Sequence, residues 1–248
     1  MTQAPLPPGT DIEPRSVGQG IVVPASGWSF GGSVWRHFDQ HIRASVPGYD
    51  LVHDTILDLA HTFLGPGQRA CDLGCSTGTL TARLASQFRG VEVVGVDIEP
   101  TMIAAAKRLS PQRPQYYCAD VRELELPRMD FACACYTLMF LPPAERLDVL
   151  SRVFAALRPG GGFVLAEKVV RQDPAHESRC QRQHYAFKRR QGLSEAEIAA
   201  KSRSIEGCLV ALTDQENVAL LQDAGFGEIQ LVFRSACFDA WLAVRPGV

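Results

Sequence analysis

The sequence predicts an α/β protein with a mostly parallel sheet, and three observations lead to this prediction. Apolar, strand-like segments alternate with helix-like segments from about residue 69 to residue 168. The first strand-like segment ends near Asp72 and is followed by a turn of small residues, Gly74 to Gly78. The second ends on Asp97, 25 residues after Asp72 (97 − 72 = 25). Strand, turn, helix and strand in this order are typical of a Rossmann-like sheet that binds a nucleotide.

Five strands and three helices account for the alternating region. The strands are expected at 69–73, 91–97, 115–118, 129–136 and 162–168, and the helices at 78–88, 100–109 and 143–157. Parallel strands need crossover connections, which are right-handed in nearly all proteins. Pro100 fits the first turn of its helix, where the missing N–H is not needed. The run from Arg158 to Gly162 favours the end of the third helix and the start of the fifth strand.

The flanking segments complete the predicted organisation. Residues 1–26 are rich in proline, glycine and small polar residues, which predicts a flexible arm. Residues 27–63 are expected to form lid helices, a short one at 33–44 and a longer one at about 50–63. The predicted cofactor-binding domain, 64–248, adds a polar helical insertion at about 174–212, a helix at 214–224 and strands near 228–234 and 237–244. The last two strands bring the sheet to seven.

Composition and charge narrow the class of protein. The chain has 248 residues, of which 46% are hydrophobic and 21% charged, as in globular proteins. The net charge of −2 gives no long-range attraction to nucleic acid, so direct nucleic-acid binding is not expected. No apolar run approaches the roughly 18 residues that a membrane helix needs, and no secretory signal pattern is present. We therefore expect a cytoplasmic protein that does not associate with a membrane.

The cysteines do not suggest a metal site. All eight are scattered without a Cys-x-x-Cys pair, at positions 71, 75, 118, 133, 135, 180, 208 and 237. Structural zinc sites use closely spaced ligand pairs, which are missing here. We expect reduced thiols and no bound metal.

The turn after the first strand distinguishes between cofactors. A dinucleotide site would read Gly-x-Gly-x-x-Gly, whereas this turn reads Asp72-x-Gly74-x-Ser76-x-Gly78. An acid before the glycines would repel a pyrophosphate and attract a cofactor that carries an ammonium group. S-adenosylmethionine (SAM) fits this requirement, because its amine and sulfonium are positive. Asp97, at the tip of the second strand, is placed to accept hydrogen bonds from both ribose hydroxyls.

These motifs resemble those of known enzymes. The turn, Asp97 and Arg158-Pro159-Gly160-Gly161 resemble the class I SAM-dependent methyltransferase superfamily. A closer resemblance covers most of residues 28–244 and rests on Trp28-x-Phe30, Ser45-Val46-Pro47-Gly48-Tyr49, Asp72-Leu73-Gly74-Cys75-Ser76, Met102-Ile103, Phe140-Leu141-x-Pro143-x-Glu145-Arg146, Glu167-Lys168, Phe187-Lys188-Arg189 and Ser194-Glu195-x-Glu197-Ile198. These motifs resemble those of the carboxy-S-adenosylmethionine synthase family. That family makes a carboxymethyl donor for tRNA wobble-uridine modification and uses prephenate as the carboxyl source.

The resemblance implies a set of cofactor contacts. Ile98 and Val121 would sandwich the adenine, Asp120 would accept from its exocyclic amine, and Ser76 would help to hold the methionine end. The full set of candidate cofactor-binding residues is Trp28, Tyr49, Asp72, Gly74, Cys75, Ser76, Gly78, Asp97, Ile98, Met102, Asp120, Val121 and Cys135. The family resemblance also suggests a homodimer whose insertion helices reach the neighbouring site.

The chain departs from the family pattern at two positions. Cys135 stands where the family has Asn, and Ser202 stands where a family Arg reads the added carboxylate. Arg203 follows one residue later, and one residue on a helix rotates a side chain by about 100°. Either the insertion turns Arg203 towards the site, or the carboxylate reader is missing. On this basis we favour a changed substrate.

The sequence leaves three reactions open, all of them SAM-dependent. Bound SAM could be carboxylated, with prephenate as a small-molecule substrate, or SAM alone could undergo intramolecular displacement to a cyclic amino acid and methylthioadenosine. The third reaction is methyl transfer to a small-molecule acceptor. Candidate catalytic residues are Tyr136, His184, Tyr185 and Arg203. Trp28, Phe30 and Trp35 would either pack the N-terminal segment or form an aromatic lid over the sulfonium.

Overall fold

The computed structural model describes residues 15–23, 27–110 and 114–247. Its strands are β1 (Arg15–Ser16), β2 (Val22–Val23), β3 (Arg69–Leu73), β4 (Glu92–Asp97), β5 (Gln115–Cys118), β6 (Met129–Cys135), β7 (Leu157–Val170), β8 (Leu212–Thr213), β9 (Glu228–Ser235) and β10 (Phe238–Val244). Its α-helices are α1 (Phe38–Ser45), α2 (Tyr49–Ala60), α3 (Thr79–Gln87), α4 (Pro100–Leu109), α5 (Pro143–Ala156), α6 (Pro174–Arg190), α7 (Glu195–Ser204) and α8 (Asp214–Asp223).

The central sheet has the predicted Rossmann-like topology. Its order is β5-β4-β3-β6-β7-β10-β9, in which the first five strands are parallel and β10 is antiparallel to both neighbours. The prediction of a mostly parallel sheet of seven strands in an α/β fold is thus confirmed. The two-residue strand β8, which the sequence analysis had not identified, pairs with the end of β7 and adds an eighth member.

The central strands are buried on both faces, which explains why they are apolar throughout. In β6, Phe131 and Cys133 pack into the core that includes α2 and α3, whereas Ala132 and Ala134 face the core formed with α5 and α8. Side chains alternate between the two faces of a strand, so a strand covered on both sides carries no polar alternation.

Strand β7 begins five residues earlier than the sequence suggested (162 − 157 = 5). The pairing of β6 with β7 contains a register irregularity between Met129 and Phe131, so Leu157 pairs with Met129 before the regular ladder starts at Gly162. Gly160, with φ of +78°, forms the bend inside this stretch. The glycines therefore mark an irregularity within the strand.

Part of the predicted N-terminal arm has a defined structure. Residues 15–23 form a small hairpin, in which β1 and β2 pair antiparallel, and Val17, Ile21 and Val23 pack against Ala200 of α7. The sequence predicted a loose arm over 1–26. The described part of this range differs from the prediction because three apolar side chains pack against the insertion. Residues 1–14 and 24–26 of that range lie outside the described residues.

The helices before the first core strand contact both the sheet and the insertion. Asp39 of α1 accepts hydrogen bonds from the Thr77 and Thr79 hydroxyls, at 2.8 and 2.9 Å. The Trp28 backbone N–H donates to the Ser204 carbonyl at 2.9 Å. The segment from Trp28 to the end of α1 therefore bridges the turn after β3 and the insertion helix α7.

No helix in the described ranges is long and apolar enough to cross a membrane.

A buried ion cluster joins the last strands to the end of β7. Asp239, fully buried on β10, accepts hydrogen bonds from both terminal nitrogens of Arg171 at 2.6 and 2.8 Å and from Arg234 at 2.8 and 3.0 Å. Arg171 is also buried. Removing one partner of such a pair leaves an uncompensated buried charge.

We predict that Asp239→Asn lowers the free energy of unfolding by about 3 kcal/mol, because two arginines lose their shared carboxylate. Asp223→Asn, at an exposed position at the end of α8, serves as the matched control and should change stability by less than about 0.5 kcal/mol. Urea denaturation followed by circular dichroism measures both. Equal stability of the two variants would contradict the structural role of Asp239.

Candidate functional site

A cavity of about 760 Å³ lies at the carboxyl ends of the parallel strands, covered by the segments before β3 and after β7. Sixteen of the seventeen candidate site residues line it: Trp28, Tyr49, Asp72, Gly74, Cys75, Ser76, Asp97, Ile98, Met102, Asp120, Val121, Cys135, Tyr136, His184, Tyr185 and Arg203. Gly78 is the exception. Ligands in open α/β sheets bind outside the carboxyl ends of the strands, so this location is the expected one.

The turn after β3 is fixed by backbone hydrogen bonds. The N–H groups of Gly74 and Cys75 both donate to the Val96 carbonyl, at 2.7 and 2.9 Å. Gly74 has φ of +76°, and a Cβ there would overlap the Thr137 side chain. Only glycine allows the turn to approach Thr137 this closely.

Gly78 supports the turn from outside the cavity. It has φ of +79° and immediately precedes α3, and a Cβ at this position would overlap the ring of Tyr116. The structure thus assigns Gly78 to packing of the turn, whereas the sequence analysis grouped it with the cofactor contacts.

Asp97 is held by backbone groups at the tip of β4. Its two carboxylate oxygens accept hydrogen bonds from Ser76 N at 2.9 Å and Glu99 N at 2.8 Å. Burial raises its pKa, while these two backbone donors lower it. Each oxygen keeps a further lone pair for a second donor, which suits a pair of neighbouring hydroxyls.

Asp72 lies deeper than Asp97 and is almost fully buried. It accepts hydrogen bonds from the Thr81 hydroxyl at 2.5 Å and from the Cys133 thiol at 3.6 Å. Burial raises its pKa to about 6. Asp72 forms the negatively charged floor of the cavity beneath the turn.

One wall of the cavity combines an exposed apolar residue with an oriented acid. Ile98 is 60% exposed, although it is a large apolar side chain, and Val121 beside the cavity is buried. Asp120 is held by the Arg122 guanidinium at 2.6–3.0 Å, whose hydrogen bonds lower the pKa of this carboxyl. A planar apolar ring system would cover Ile98 and reach Asp120 with its edge.

Met102 and Cys135 complete the inner surface. Met102 of α4 is 1% exposed, and Cys135 is the last residue of β6. Burial raises the pKa of the Cys135 thiol, which is therefore uncharged. Both residues contribute shape and apolar surface.

The aromatic residues of the N-terminal segment divide into two groups. Trp28 lines the cavity, with His41 stacked on it at 5.7 Å between ring centroids and the Lys201 ammonium over its ring. Trp35 does not line the cavity, because its ring packs against Arg36 and Arg108. The hypothesis that Trp35 belongs to an aromatic lid over the cavity is therefore wrong.

His184 is held at both ring nitrogens. Nε2 lies 2.7 Å from the Ser45 carbonyl, so it donates, and Nδ1 then accepts from the Cys237 thiol at 3.4 Å. Burial, followed by repulsion from Lys188, lowers the pKa of His184 to about 3. In this arrangement His184 has no ring nitrogen available for a substrate proton. Its hydrogen bond joins α6 to α1, and Tyr185 packs beside it.

Tyr136 follows β6 directly and has φ of +60°, which is uncommon for a residue with a side chain. Its Oη is buried and has no hydrogen-bond partner among the described residues. Burial raises its pKa well above the usual range, so the phenol stays protonated.

Helix α7 carries the position where the family pattern has an arginine. The Ser202 hydroxyl donates to the Ile198 carbonyl of its own helix at 3.0 Å. Arg203 is exposed and lies at the edge of the cavity. Lys201 is turned inward onto Trp28, and burial lowers its pKa well below the usual range.

Three lysines form a cationic end of the cavity that the sequence analysis did not identify. Burial, followed by repulsion from Lys168, lowers the pKa of Lys188 to about 8, and Lys188 in turn acts on Lys201. None of the three makes an ion pair within the described residues. Lys168 and Lys188 stand in segments that carry the family resemblance, but only the fold brings them together with Lys201.

Two other residues of the resemblance support the cavity from behind. The Arg146 guanidinium donates to the carbonyls of Leu141 and Val210, and Glu167 accepts from the Leu138 N–H at 3.0 Å. Both side chains are buried. They fix the loop after β6 and the end of the insertion.

No group of three or more potential metal ligands occurs in residues 15–23, 27–110 and 114–247.

Comparison with known proteins agrees with the fold. A family model described as a methyltransferase domain matches residues 70–161. Human N-acetylserotonin methyltransferase, solved in complex with SAM, superposes with a TM-score of 0.61 at 21% identity, over 87% of this chain and 58% of that chain. Magnesium protoporphyrin IX methyltransferase from Synechocystis PCC 6803, solved with bound SAH, gives 0.58 at 19% identity, over 84% and 93%. The chain thus has the fold of the class I methyltransferases.

Sequence relatives define the family within that class. The carboxy-S-adenosyl-L-methionine synthase of Geobacter sp. strain M21 is 33% identical over 216 residues, which cover 84% of this chain and 88% of the relative. The one of Shewanella baltica strain OS155 is 31% identical over 227 residues, covering 89% and 93%. This chain belongs to the carboxy-S-adenosyl-L-methionine synthase family, as the sequence motifs had indicated.

Glu167 provides a test of how the cavity is supported. Burial raises its pKa to about 8, so the folded protein keeps a proton that the unfolded chain releases near pH 4.5. The stability that this proton contributes is complete below about pH 4.5 and is lost as the pH rises towards 8.

We predict that Glu167→Gln gains stability relative to the native protein as the pH rises from 5 to 8, by up to about 1.4 kcal/mol per pH unit, because the amide stays neutral. Urea unfolding at several pH values measures this difference. Glu123→Gln, an exposed control, should leave the pH profile unchanged. A pH-independent difference between Glu167→Gln and the native protein would show that Glu167 is not held protonated.

Proposed function

We propose that this protein converts SAM into carboxy-SAM, with a dicarboxylate such as prephenate as the carboxyl donor. One observation carries the proposal: the cavity has an acidic end and a cationic end. The acidic end contains Asp72, Asp97 and Asp120. The cationic end contains Lys168, Lys188 and Lys201.

The acidic end suits the adenosine and amino groups of SAM. Asp97 is oriented for the ribose hydroxyls, Ile98 offers an uncovered apolar surface for adenine, and Asp120 is placed at the same wall. Asp72 adds negative charge below the turn, which favours the ammonium and sulfonium of the methionine part. SAM is thus supported as a substrate by four predicted contacts.

The cationic end suits an anionic partner. The charged forms of the three lysines repel one another, and none of them makes an ion pair within the described residues, so charging them is disfavoured while the cavity is unliganded. A dianion would relieve this repulsion and form charge-assisted hydrogen bonds. The sequence departure at Ser202 favoured a changed substrate, but the lysines supply positive charge that does not depend on this position.

The other two reactions do not explain these lysines. Intramolecular displacement needs only SAM, so it gives no role to the three lysines. Transfer of a methyl group to a neutral acceptor gives these lysines no role either. Carboxylation of SAM by a dicarboxylate uses both ends of the cavity.

The proposed reaction balances with prephenate. The bond from the ring to its carboxyl group breaks, the electron pair makes the ring aromatic, and hydroxide leaves, giving carbon dioxide and phenylpyruvate. The hydroxide takes a proton from the SAM methyl group and becomes water. The resulting ylide carbon bonds to carbon dioxide and forms carboxy-SAM. Binding of both substrates in one cavity would keep carbon dioxide beside the sulfonium.

Mass spectrometry of the adenosine-containing products tests this function. The purified protein is incubated with SAM, with and without prephenate. Carboxy-SAM should form only with prephenate, together with phenylpyruvate. Methylthioadenosine formed without prephenate would replace the proposal with intramolecular displacement. No adenosine product in either sample would contradict SAM transformation and favour a methyl acceptor.

The homodimer and the cytoplasmic location stay predictions.

We predict that Asp97→Asn raises the dissociation constant of SAM about 10- to 100-fold, because the amide offers one acceptor oxygen where the carboxylate offers two charged ones. Isothermal titration calorimetry measures this change. Asp223→Asn, which does not line the cavity, is the control and should bind SAM like the native protein. Unchanged binding to Asp97→Asn would remove Asp97 from the ribose site.

We predict that Lys188→Met raises the KM for prephenate about 10- to 100-fold and leaves the SAM dissociation constant within about twofold, because a charged hydrogen bond to the carboxylate is lost. Lys107→Met, at an exposed position on α4, is the matched control. Steady-state kinetics and calorimetry separate the two constants. An equal loss of affinity for both substrates would contradict a cationic end that is specific for the carboxyl donor.

A further inference from the structure

We propose that the Tyr136 hydroxyl donates a hydrogen bond to the carboxylate that is formed on the sulfonium carbon, taking over the recognition that Ser202 does not provide. This inference rests on the proposed function, since it concerns the product of that reaction. It assigns a specificity-determining contact to the residue that follows β6, whereas the family pattern has its carboxylate reader on the insertion.

The backbone at Tyr136 is fixed in an uncommon conformation. Its φ is +60°, and its N–H donates to the Ala166 carbonyl at 2.7 Å. Backbone outliers of this kind occur preferentially at binding and catalytic sites, where the surrounding structure holds them. The conformation places the ring between Tyr49, at 6.4 Å, and Phe238, at 5.5 Å between centroids.

The hydroxyl of Tyr136 has no partner in its surroundings. The residue is 6% exposed, its ring lines the cavity, and the Oη forms no hydrogen bond with a described residue. A phenylalanine would fill the same space without an unsatisfied polar atom. The hydroxyl therefore disfavours the unliganded state, and an acceptor on a ligand would compensate for it.

Tyr136 lies where the two ends of the cavity meet. Cys135 precedes it at the end of β6, and β6 is the neighbour of β3, whose following turn would hold the methionine part of SAM. On its other side Phe238 contacts His184 at 5.1 Å, and the charge of Lys188 acts on His184. A carboxylate between the sulfonium and the lysines would therefore lie beside Tyr136.

The protonation state determines which ligand atom the hydroxyl can contact. Burial keeps the phenol protonated, so it can donate a hydrogen bond to an anion. SAM carries only a methyl group at the reacting position, which accepts no hydrogen bond, whereas carboxy-SAM carries a carboxylate there. Tyr136 should thus distinguish the product from the substrate.

Helix α7 does not supply a directional hydrogen-bond donor for this carboxylate. The Ser202 hydroxyl is bonded to the Ile198 carbonyl, and Arg203 is exposed at the edge of the cavity. Lys201 lies on that side, with its Nζ over the Trp28 ring. The Tyr136 phenol, directly after β6, provides the directional donor that an arginine would otherwise provide.

The experiment compares the binding of SAM and of carboxy-SAM to the native protein and to Tyr136→Phe by calorimetry. The native protein should prefer carboxy-SAM, and this preference should fall about 10- to 100-fold in Tyr136→Phe, with the SAM dissociation constant changed less than about twofold. The melting temperature of unliganded Tyr136→Phe should be equal or higher, because an unsatisfied hydroxyl is removed. Tyr117→Phe, at an exposed position on β5 outside the cavity, is the control and should keep the native preference.

Two results would overturn the inference. One is an unchanged ratio of the two dissociation constants in Tyr136→Phe, and the other is a native protein that does not prefer carboxy-SAM. Binding is measured without turnover, so this result is independent of whether prephenate yields carboxy-SAM. If the protein forms carboxy-SAM but Tyr136→Phe leaves its selectivity unchanged, the proposed function is supported and the role of Tyr136 is rejected.

Discussion

The close approach of two turns at the carboxyl edge of the sheet determines the geometry of the cavity. Gly74 lies against Thr137, and the Thr137 hydroxyl donates to the Leu73 carbonyl at 2.9 Å. This contact joins the turn after β3 to the turn after β6. Because the first turn carries the Asp97 contact and the second carries Tyr136, their separation sets the distance between the predicted adenosine end and the reacting end. A side chain at position 74 would force these turns apart.

Charge separation along one cavity follows from the order of the elements. The acids stand at or below the tips of β3, β4 and β5, on one side of the sheet's centre. Lys168 comes from β7 and Lys188 and Lys201 from the insertion, so they lie on the other side. The fold therefore places acids and lysines in one cavity, where the proposed SAM and dicarboxylate would lie next to each other. The burial that lowers the pKa values of Lys188 and Lys201 also strengthens the interaction of their charged forms with a bound carboxylate.

Much of the fold and the acidic end of the cavity could be predicted from the sequence, because both depend on local sequence patterns. Strands such as Arg69–Leu73 and the Asp97 tip are defined by local patterns of apolar residues and turns. The cationic end is formed by residues up to 33 positions apart (201 − 168 = 33), and only tertiary packing brings them together. The same applies to His184, whose nitrogens are held by Ser45 and Cys237. The irregular pairing of β6 with β7 and the packed hairpin of residues 15–23 also depend on neighbours distant in sequence.

A crystal structure with SAM and phenylpyruvate bound together would show whether one cavity holds a cation and an anion at opposite ends. We expect the ribose hydroxyls within hydrogen-bond distance of Asp97 and the phenylpyruvate carboxylate within hydrogen-bond distance of Lys188 or Lys201. A carboxylate bound at Arg203 at the edge of the cavity, with the lysines unoccupied, would contradict this expectation.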